Sequence, residues 1–420
     1  MREMKDSGIS WVGEIPKEWS VNRAKYCFVN TKEIAGCRSD RYERLALTMN
    51  GVIKRSKDDS NGLQPEKFET YQILRPDELV FKLIDLQNVS TSRVGLSPYL
   101  GLVSPAYIIL KSNKRVLPAF AEKYFLMLWK NQIFNALGDA GVRSNLNSKD
   151  LLELSIPFPS LAEQQRIAEF LDRECGKIDG LKADIQAQID TLEQYKRSVI
   201  TEAVTHGLNP SAPMKDSGIP WVGQFPTHWT KKKGKYILRY MSKPVKQDDG
   251  VITCFRDGEV TLRSNRREDG FTMADKEIGY QGVDVGDLVV HGMDGFAGAI
   301  GISDSRGKAS PVLNVLNTKQ NKKYIMYYLR SMAYGEVFTA LSTGIRVRSC
   351  DLRWNKLAEL LYPLPPIDEQ NNIVNYIDEQ IARTNDIIED KKSQIETLDG
   401  YKKSLIYEYV TGKKEVICDG

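Results

Sequence analysis

Residues 4–26, MKDSGISWVGEIPKEWSVNRAKY, decide the fold, because nearly the same stretch returns at residues 214–236 as MKDSGIPWVGQFPTHWTKKKGKY. The two segments are identical at 13 of 23 positions. A second correspondence follows in the same order, since IPFPSLAEQQ (156–165) matches YPLPPIDEQN (362–371). Self-similarity at a fixed separation is the signature of an internal repeat. The sequence therefore predicts a two-fold tandem duplication of a unit of roughly 206 residues.

Each repeat begins with about 150 residues in which short strand-like runs alternate with turn-forming residues. Short apolar runs such as Ala106-Tyr-Ile-Ile-Leu and Asp287-Leu-Val-Val alternate with Gly, Pro and Asn, which is typical of short strands joined by turns. Helical spacing of apolar residues predicts short helices near 118–137 and 320–340. The first part of each repeat is therefore predicted to be a compact α+β domain.

Each repeat ends in a segment that is predicted to be one long helix. From Ala162 to about Thr205 there is no proline, and apolar residues recur every seven positions, as in a coiled coil. Prolines precede each helix, and Gly207 or Gly412 is predicted to end it. The predicted seam consists of Leu171, Ile178, Ile185, Leu192 and Val199, and of Val374, Ile381, Ile388 and Ile395, with Leu398 and Leu405 continuing in a shifted register.

The apolar spacing also predicts flanking seam positions at Ile167, Leu181, Ile189 and Tyr195. Gly176, Gly180 and Gly400 weaken the helices locally. A single helix of this length and composition needs a partner, and the nearest available partner is the helix of the other repeat.

The formal net charge of +4 over 420 residues hides a regular alternation. Residues 1–150 carry +6, residues 151–206 carry −4, residues 207–356 carry +8 and residues 357–420 carry −6. Both globular parts are thus basic and both helices are acidic. This distribution favours a polyanion on the globular parts and protein partners along the helices.

Several classes of protein are disfavoured by the sequence. The composition excludes collagen-like and wholly disordered chains, and no secretory signal or run of 18 apolar residues is apparent. Six scattered cysteines predict neither disulfides nor a zinc site and favour a reducing cytoplasm. We find no phosphate-binding loop, no adenine-methyltransferase motif, no nuclease motif and no histidine cluster. The sequence therefore predicts no catalytic constellation and no metal site.

Three motifs that recur in both repeats resemble those of one family. They are the W-V-G-x-[IF]-P-x-x-W box, the P-x-P-x-x-x-E-Q lead-in and the helix-closing Tyr-Lys-x-Ser-[VL]-Ile. Together they resemble the DNA specificity (S) subunit of type I restriction–modification systems. The resemblance implies an α+β fold in which two homologous target recognition domains alternate with two long helices, paired as an antiparallel coiled coil with pseudo-two-fold symmetry. The corresponding ranges are 1–155, 156–207, 208–361 and 362–420.

The same resemblance implies a function and a set of partners. Each target recognition domain would read one half of a bipartite site on double-stranded DNA, and the helices would fix the separation of the halves. Two methylation subunits would carry the S-adenosylmethionine chemistry, and restriction subunits would use ATP and Mg²⁺. This chain would be cytoplasmic, without a membrane anchor, without a cofactor and without catalysis of its own. Because the two globular parts diverge outside the boxes, the site is predicted to be asymmetric.

Candidate DNA-contacting residues follow from base chemistry, since Arg pairs with guanine and Asn or Gln with adenine, while Lys more often contacts phosphate. The four tryptophans of the two boxes are instead predicted to anchor the domain cores, because both repeats keep them. The candidates in the first domain are Lys54, Arg55, Lys82, Gln87, Asn88, Arg93, Arg143 and Asn145. Those in the second domain are Arg256, Arg263, Arg266, Arg267, His291, Arg346 and Arg348.

Two other functions are compatible with the sequence alone. A free-standing, sequence-specific DNA-binding regulator would need no partner subunits. A scaffold would use the helices as its functional part and bind RNA or protein through the basic domains. An enzyme in its own right ranks last, because the catalytic motifs are missing.

Overall fold

The computed structural model describes residues 2–59, 67–84, 86, 92–137, 145–266, 277–341 and 352–417. The chain divides into two compact units. Unit 1 comprises Met1–Ile185 and Lys392–Gly420, and unit 2 comprises Gln186–Lys391. Each unit thus holds one globular part together with one half of each long helix.

Unit 1 combines short strands with a few short helices. Its helices are Pro118–Lys130, Ile133–Leu137 and Ser148–Glu153, with 3-10 turns at Ala24–Tyr26, Gly36–Arg41 and Phe68–Thr70. Its strands are Met4–Asp6, Glu14–Pro16, Ser20–Arg23, Phe28–Asn30, Arg44–Thr48, Gly51–Arg55, Gln72–Leu74, Leu79–Phe81, Val94–Leu96, Gly101–Val103, Ile108–Ser112 and Ser155–Phe158.

Unit 2 is built in the same manner. Its short helices are Gly234–Ile237, Lys322–Tyr334, Val337–Ala340 and Trp354–Glu359, with 3-10 turns at Arg263–Asn265 and Gly295–Ala297. Its strands are Met214–Asp216, Gln224–Pro226, Thr230–Lys233, Leu238–Tyr240, Ile252–Cys254, Val260–Leu262, Gln281–Val283, Leu288–His291, Ile300–Ile302, Gly307–Ala309, Leu313–Thr318 and Leu361–Leu364. The helices predicted near 118–137 and 320–340 are confirmed, each broken once.

One antiparallel sheet is common to both units. In unit 1 its strand order is Phe28–Asn30, Ile108–Ser112, Leu79–Phe81 and Val94–Leu96. In unit 2 the corresponding strands are Leu238–Tyr240, Leu313–Thr318, Leu288–His291 and Ile300–Ile302, in the same order. We call this sheet the shared sheet.

The remaining strands of the two units are arranged differently. In unit 1, four of them form a second sheet in the order Gly51–Arg55, Arg44–Thr48, Gly101–Val103 and Gln72–Leu74. In unit 2, four strands form two separate pairs, Ile252–Cys254 with Val260–Leu262 and Gln281–Val283 with Gly307–Ala309. The repeated and the diverged parts of the sequence therefore correspond to different substructures.

The repeated box forms a small hairpin whose tryptophan enters the core. Met4–Asp6 pairs with Glu14–Pro16, and Met214–Asp216 pairs with Gln224–Pro226. Gly13 and Gly223 have φ of 71° and 70°, a conformation that side chains rarely adopt. Trp19 and Trp229 are fully buried, while Trp11 and Trp221 are partly buried against the same cores. The predicted anchoring role of the box is confirmed.

The Glu-Gln pair of the lead-in explains why the box and the helix recur together. The Trp19 indole N–H donates to Glu163 at 3.0 Å, and Trp229 donates to Glu369 at 3.0 Å. Gln164 accepts from the Leu117 amide at 2.8 Å and donates to the Pro159 carbonyl at 3.0 Å. Buried polar groups need such partners. These motif residues therefore hold each globular part on the start of its helix.

The two long helices span Leu161–His206 and Ile367–Val410. Gly207 and Gly412 follow them with φ of 78° and 72°, as glycines that end helices commonly do. A side-chain β-carbon on Gly412 would lie 2.4 Å from the Pro16 ring. The predicted starts and ends are confirmed within about two residues. Gly400 lies inside the second helix without interrupting it.

The buried positions of both helices follow one continuous heptad frame. In the first helix, Leu171, Ile178, Ile185, Leu192 and Val199 share one seam position. The other position is occupied by Cys175, Lys182, Ile189, Lys196 and Ala203. Leu181 and Tyr195 were predicted to flank the seam, and this is wrong, because their side chains are exposed on the outer side. Lys182 and Lys196 thus occupy seam positions that the pattern of apolar residues did not predict.

The second helix keeps a single register as well. Val374, Ile381, Ile388 and Ile395 occupy one seam position, and Leu398 and Leu405 occupy the other, together with Ile377, Thr384 and Lys391. The predicted shift of register is therefore wrong, because the two groups are alternate positions of the same heptad.

Within each unit the two helix halves run antiparallel. In unit 1 the rings of Phe170 and Tyr409 lie 4.4 Å apart, and Lys402 contacts Asp179 at 2.7 Å. In unit 2, Lys196 contacts Asn385 at 2.8 Å. In unit 1, contacts at higher residue numbers in one helix meet lower numbers in the other, which is the geometry of an antiparallel coiled coil.

Candidate nucleic-acid interface

A basic groove lies on the second sheet of unit 1. It has a volume of about 450 Å³ and is lined by Asp40, Arg41, Tyr42, Glu43, Arg44, Lys54, Arg55, Ser56 and Lys57. The hairpin formed by Arg44–Thr48 and Gly51–Arg55 places Leu45 opposite Lys54 and Arg44 opposite Arg55. Five cations and two carboxylates line this groove, so that it can attract a polyanion.

Most cations of the groove are held in place by neighbours. Lys54 pairs with Glu43 at 2.6 Å, and Arg55 pairs with Asp59 at 2.6 Å. The hydrogen bond to Glu43 raises the pKa of Lys54. Lys57 donates to the Ser39 carbonyl at 2.9 Å. Two residues predicted from the sequence, Lys54 and Arg55, therefore lie together in an ordered basic site.

Arg41 and Lys57 belong to the groove although the sequence did not suggest them. Arg41 is exposed and has no ion-pair partner among the residues that the structure describes. Arg41 ends the 3-10 turn Gly36–Arg41, and Lys57 lies in the turn that follows the strand Gly51–Arg55. The sequence could have indicated these two residues through the high density of positive charge in residues 38–57. This segment contains Arg38, Arg41, Arg44, Lys54, Arg55 and Lys57.

Three other candidates of the first domain lie outside the groove. Arg93 is fully buried and donates to the Ile84 carbonyl at 3.3 Å. Because the guanidinium is enclosed by the unit-1 interior, it is not exposed to DNA, which argues against the predicted contact of Arg93. Lys82 is partly buried, and Asn145 is exposed. Asn145 is next to Leu146, whose amide donates to the Leu83 carbonyl at 3.0 Å.

In unit 2 the hairpin of Ile252–Cys254 and Val260–Leu262 collects three predicted arginines. Arg256 is well exposed and pairs with Asp294 at 3.0 Å. Arg263 donates to the Thr253 hydroxyl at 3.2 Å. Arg266 pairs with Asp257 at 2.7 Å and lies 4.1 Å from the Phe255 ring centroid. The structure therefore brings Arg256, Arg263 and Arg266 to one edge of the unit.

His291 lies beside this cluster and has a structural role that the sequence did not reveal. Its Nδ1 accepts hydrogen bonds from the amides of Asp294 at 2.9 Å and Met293 at 3.2 Å. Burial lowers the pKa of His291, so that the ring is neutral near pH 7 and its Nε2 carries the proton. The neutral ring caps the turn that holds Asp294, the partner of Arg256.

The other predicted DNA contacts are Gln87, Asn88, Arg143, Arg267, Arg346 and Arg348, and they lie outside the described residues. Within the described ranges, no group of three or more His, Cys, Asp or Glu side chains is placed to hold a metal ion. Across the same ranges, no helix has the length and apolar character needed to cross a membrane.

Comparison with known proteins finds similarity to DNA specificity subunits. Residues 57–191 match the family model described as the type I restriction modification DNA specificity domain. A putative type I restriction enzyme MjaX specificity subunit from Methanocaldococcus jannaschii is 23% identical and is matched over 96% of both chains. The type I restriction enzyme StySPI specificity subunit from Salmonella potsdam is 20% identical over 84% of this chain and 81% of that protein.

A solved structure agrees with the fold. It is described as the structural basis underlying complex assembly and conformational transition of the type I R-M system, and its matching chain has a TM-score of 0.65 at 12% identity. The match covers 95% of this chain and 99% of that chain. The resemblance found in the sequence motifs is confirmed by these comparisons, in which the chain is similar over most of its length to specificity subunits of type I restriction enzymes.

Proposed function

We propose that this specificity subunit recognises an asymmetric, bipartite sequence on double-stranded DNA, with unit 1 and unit 2 each reading one half. The observation that carries the proposal is the contrast between the shared sheet and the different strand arrangements beside it. The shared sheet would hold both units in equivalent positions on DNA, whereas the different basic surfaces beside it would contact different bases.

The charge of the two surfaces supports the same function. The unit-1 groove presents Arg41, Lys54, Arg55 and Lys57, with the buried Arg44 beneath them, and the unit-2 hairpin presents Arg256, Arg263 and Arg266. Arginine can bind guanine with two hydrogen bonds, and lysine and arginine both bind phosphate. Several arginines here are already oriented by carboxylates, which lowers the entropic cost of ordering them on DNA.

We further propose that the chain catalyses no reaction itself and directs methylation and restriction subunits to its site. Two methylation subunits, carrying S-adenosylmethionine, and restriction subunits using ATP and Mg²⁺ would complete the complex. The net negative charge of the two helical segments, −4 over residues 151–206 and −6 over residues 357–420, supports docking of protein partners.

The experiment compares DNA binding by the purified chain with binding by the chain plus its methylation subunits. Mixed duplexes compete for the protein at several salt concentrations, because phosphate contacts make affinity depend on salt. A specificity subunit is expected to need the methylation subunits for full affinity and to select one sequence. Tight, specific binding by the chain alone would favour the free-standing regulator, and binding without sequence preference would favour the scaffold.

A further inference from the structure

Each unit exposes one tyrosine at the same place in the fold, where the repeated segment ends. Tyr26 ends the 3-10 turn Ala24–Tyr26, and Tyr236 lies in the short helix Gly234–Ile237. Both turns lead into the edge strand of the shared sheet. The two tyrosines are 54% and 73% exposed. A ring that is so exposed adds little to the core, so that its presence in both repeats suggests a ligand outside the unit.

In unit 1 the fold places two cations and one carboxylate beside Tyr26. Antiparallel pairing of Arg23 with Ser155 brings Arg23 next to Glu153. Glu153 accepts hydrogen bonds from Arg23 and, at 2.8 Å, from Lys25. The Lys25 ammonium group lies 5.5 Å from the centroid of the Tyr26 ring. Because the hydrogen bonds from Lys25 and Arg23 lower the pKa of Glu153, its carboxylate stays ionised and keeps both cations oriented.

The same arrangement surrounds Tyr236 in unit 2. Antiparallel pairing of Lys233 with Leu361 brings Lys233 next to Glu359. Lys233 and Lys235 donate to Glu359 at 2.7 and 2.8 Å, and these hydrogen bonds lower its pKa to about 2. The Lys235 ammonium group lies 5.5 Å from the centroid of the Tyr236 ring. We call the two arrangements the Lys–Tyr sites, which consist of Arg23, Lys25, Tyr26 and Glu153 in unit 1 and of Lys233, Lys235, Tyr236 and Glu359 in unit 2.

Further exposed cations lie close to both Lys–Tyr sites. In unit 1 a turn packs against the tyrosine segment, since the Asn113 side-chain amide donates to the Tyr26 carbonyl at 2.7 Å. In unit 2 the Thr318 hydroxyl donates to the Ile237 carbonyl at 2.6 Å. The cations that these segments and the edge strand carry are Lys114 and Arg115 in unit 1 and Arg239 and Lys319 in unit 2. Both Lys–Tyr sites are therefore positively charged overall, which favours an anionic ligand.

The features that the two sites share indicate the kind of anion. Both keep the cations, the tyrosine and the glutamate, but they do not keep an apolar neighbour. Val29 is 59% exposed on the edge strand of unit 1, whereas Arg239 occupies the equivalent position in unit 2. The central part of a protein interface is usually apolar and poor in charge. DNA phosphates, in contrast, are bound by lysine, arginine and tyrosine side chains and are the same in every sequence.

We propose that both Lys–Tyr sites bind DNA phosphates, with the lysine supplying charge and the tyrosine hydroxyl donating to a phosphate oxygen. The groups that contact phosphate are Lys25 and Tyr26 in unit 1 and Lys235 and Tyr236 in unit 2. The glutamate of each site is a positioning residue, because it orients the cations. The sites hold either unit on any DNA sequence, whereas the different basic surfaces of the two units contact bases. This inference rests on the proposed function in that DNA is the ligand, but it does not require that a sequence be selected.

The test uses the full chain with its methylation subunits, titrated with the duplex that it selects and with an unrelated duplex at several salt concentrations. Lys25→Ala with Tyr26→Ala removes the site of unit 1, and Lys235→Ala with Tyr236→Ala removes that of unit 2. Each double variant is expected to weaken binding to both duplexes by the same factor, about five-fold or more. Each should also lower the salt slope by about one, because one phosphate contact is lost.

Two lysines that are paired with other acids provide matched controls. Lys17 is exposed and contacts Glu3 at 2.7 Å, and Lys323 is exposed and contacts Asp378 at 2.6 Å. Lys17→Ala and Lys323→Ala are expected to change the affinity for either duplex by less than about two-fold. Thermal unfolding of every variant verifies the fold, and Lys25→Gln or Lys235→Gln alone provides a milder change.

Substitution of the glutamates should have the opposite effect. Glu153→Gln and Glu359→Gln each remove a negative charge beside the lysine while they keep the shape of the side chain. Both are expected to tighten binding to the selected and the unrelated duplex by about two-fold or more at low salt. Weaker binding of both variants to DNA would contradict the proposal.

Three other results would overturn the proposal. Unchanged affinity and salt slope in the double variants would exclude a phosphate contact, and a loss confined to the selected duplex would indicate base readout. Sedimentation of the complexes without DNA tests a protein ligand, since loss of the methylation subunits with unchanged DNA affinity of the assembled complex would assign the sites to them. If the natural complex did not distinguish the two duplexes, the proposed function would be contradicted instead, while the unrelated duplex would still test the Lys–Tyr sites.

Discussion

Arg55 and Arg41 carry the same guanidinium group in two settings of the unit-1 groove. Arg55 ends a strand and is oriented by Asp59 at 2.6 Å, whereas Arg41 is exposed at the end of a 3-10 turn. An oriented arginine is suited to a base edge, where geometry matters. An arginine without an orienting partner among the described residues is suited to a phosphate, where charge matters more.

These settings predict different effects of the same substitution. Arg55→Ala is expected to cost about 1–3 kcal/mol and to relax specificity at one position of one half-site, while Arg41→Ala weakens binding to all sequences and lowers the salt slope by about one. Binding titrations over a set of single-base variants and salt concentrations measure both. Lys149→Ala, an exposed lysine outside the groove, is the control. Equal loss on every sequence for Arg55→Ala would assign Arg55 to phosphate.

A carboxylate network in unit 2 predicts a response to acid. Lys243 and Arg306 hold Asp284 at 2.7 and 2.5 Å, and these hydrogen bonds lower the pKa of Asp284 to about 2. Because the pKa is lowered by folding, the network stabilises unit 2 fully above the ordinary aspartate pKa of about 3.9. That stabilisation is lost as the pH falls from about 4 towards 2.

The measurement is urea unfolding of the full chain between pH 5 and pH 2, with unit 2 followed by hydrogen exchange. Asp284→Asn is expected to lower stability at pH 5 and to flatten its decline below pH 4. Asp248→Asn, an exposed carboxylate nearby in sequence, should leave the profile unchanged. A profile for Asp284→Asn that is as steep as that of the natural chain would contradict this role.

Residue-level prediction from sequence succeeded where a residue type has one common use. Trp19 and Trp229 were identified as core residues because both repeats keep them, and large aromatic rings are stable when buried. Arg93 was misplaced because arginine is seldom fully buried, and nothing in its sequence neighbours reveals the enclosing contacts. Arg41 was missed because its contribution depends on a fold that brings separate segments to one groove.

At the scale of elements, the two long helices were the easiest part to predict. Prolines before each helix, glycine after it and apolar residues every seven positions determine the start, the end and one seam position. The second seam position was harder, because Lys182, Lys196, Lys391 and Lys402 do not look apolar. Their packing depends on a partner helix that supplies acids and amides at the edge, which a single helical pattern does not contain.

Two adjacent isoleucines of the second helix separate the inner from the outer face. Ile388 is buried with 3% of its surface exposed, whereas Ile387 is 47% exposed. Ile388→Glu is expected to lower the free energy of unfolding by about 2–5 kcal/mol, because it places a charge in an apolar seam. Ile387→Glu should change it by no more than about 0.5 kcal/mol. Chemical denaturation of both variants measures this difference.

Equal effects at the two positions would contradict the assigned face of the helix. The same variants also test the proposed function. A disrupted seam should weaken the preference of the protein for DNA sites with one spacer length. Ile185→Glu provides the corresponding change in unit 1, where Ile185 is partly buried at a seam position of the first helix.

At the scale of the whole molecule, the duplication explains both the similarity and the difference of the two units. The box, the lead-in and the shared sheet recur because each unit must hold its globular part on a helix. The groove of unit 1 and the arginine hairpin of unit 2 differ, which is the expected result if each reads a different half-site. The repeat was visible in the sequence, whereas the different strand pairing was not, because pairing joins segments that are distant along the chain.

We propose above all that the globular parts of unit 1 and unit 2, which have the shared sheet in common but differ in their basic surfaces, together select an asymmetric, bipartite DNA site. The most direct measurement selects binding sequences from randomised duplexes with the full chain and its methylation subunits, at a fixed salt concentration. We expect two blocks of specified bases that differ in sequence and are separated by an unread spacer of one length. A single contiguous block, or two blocks forming a perfect palindrome, would contradict it.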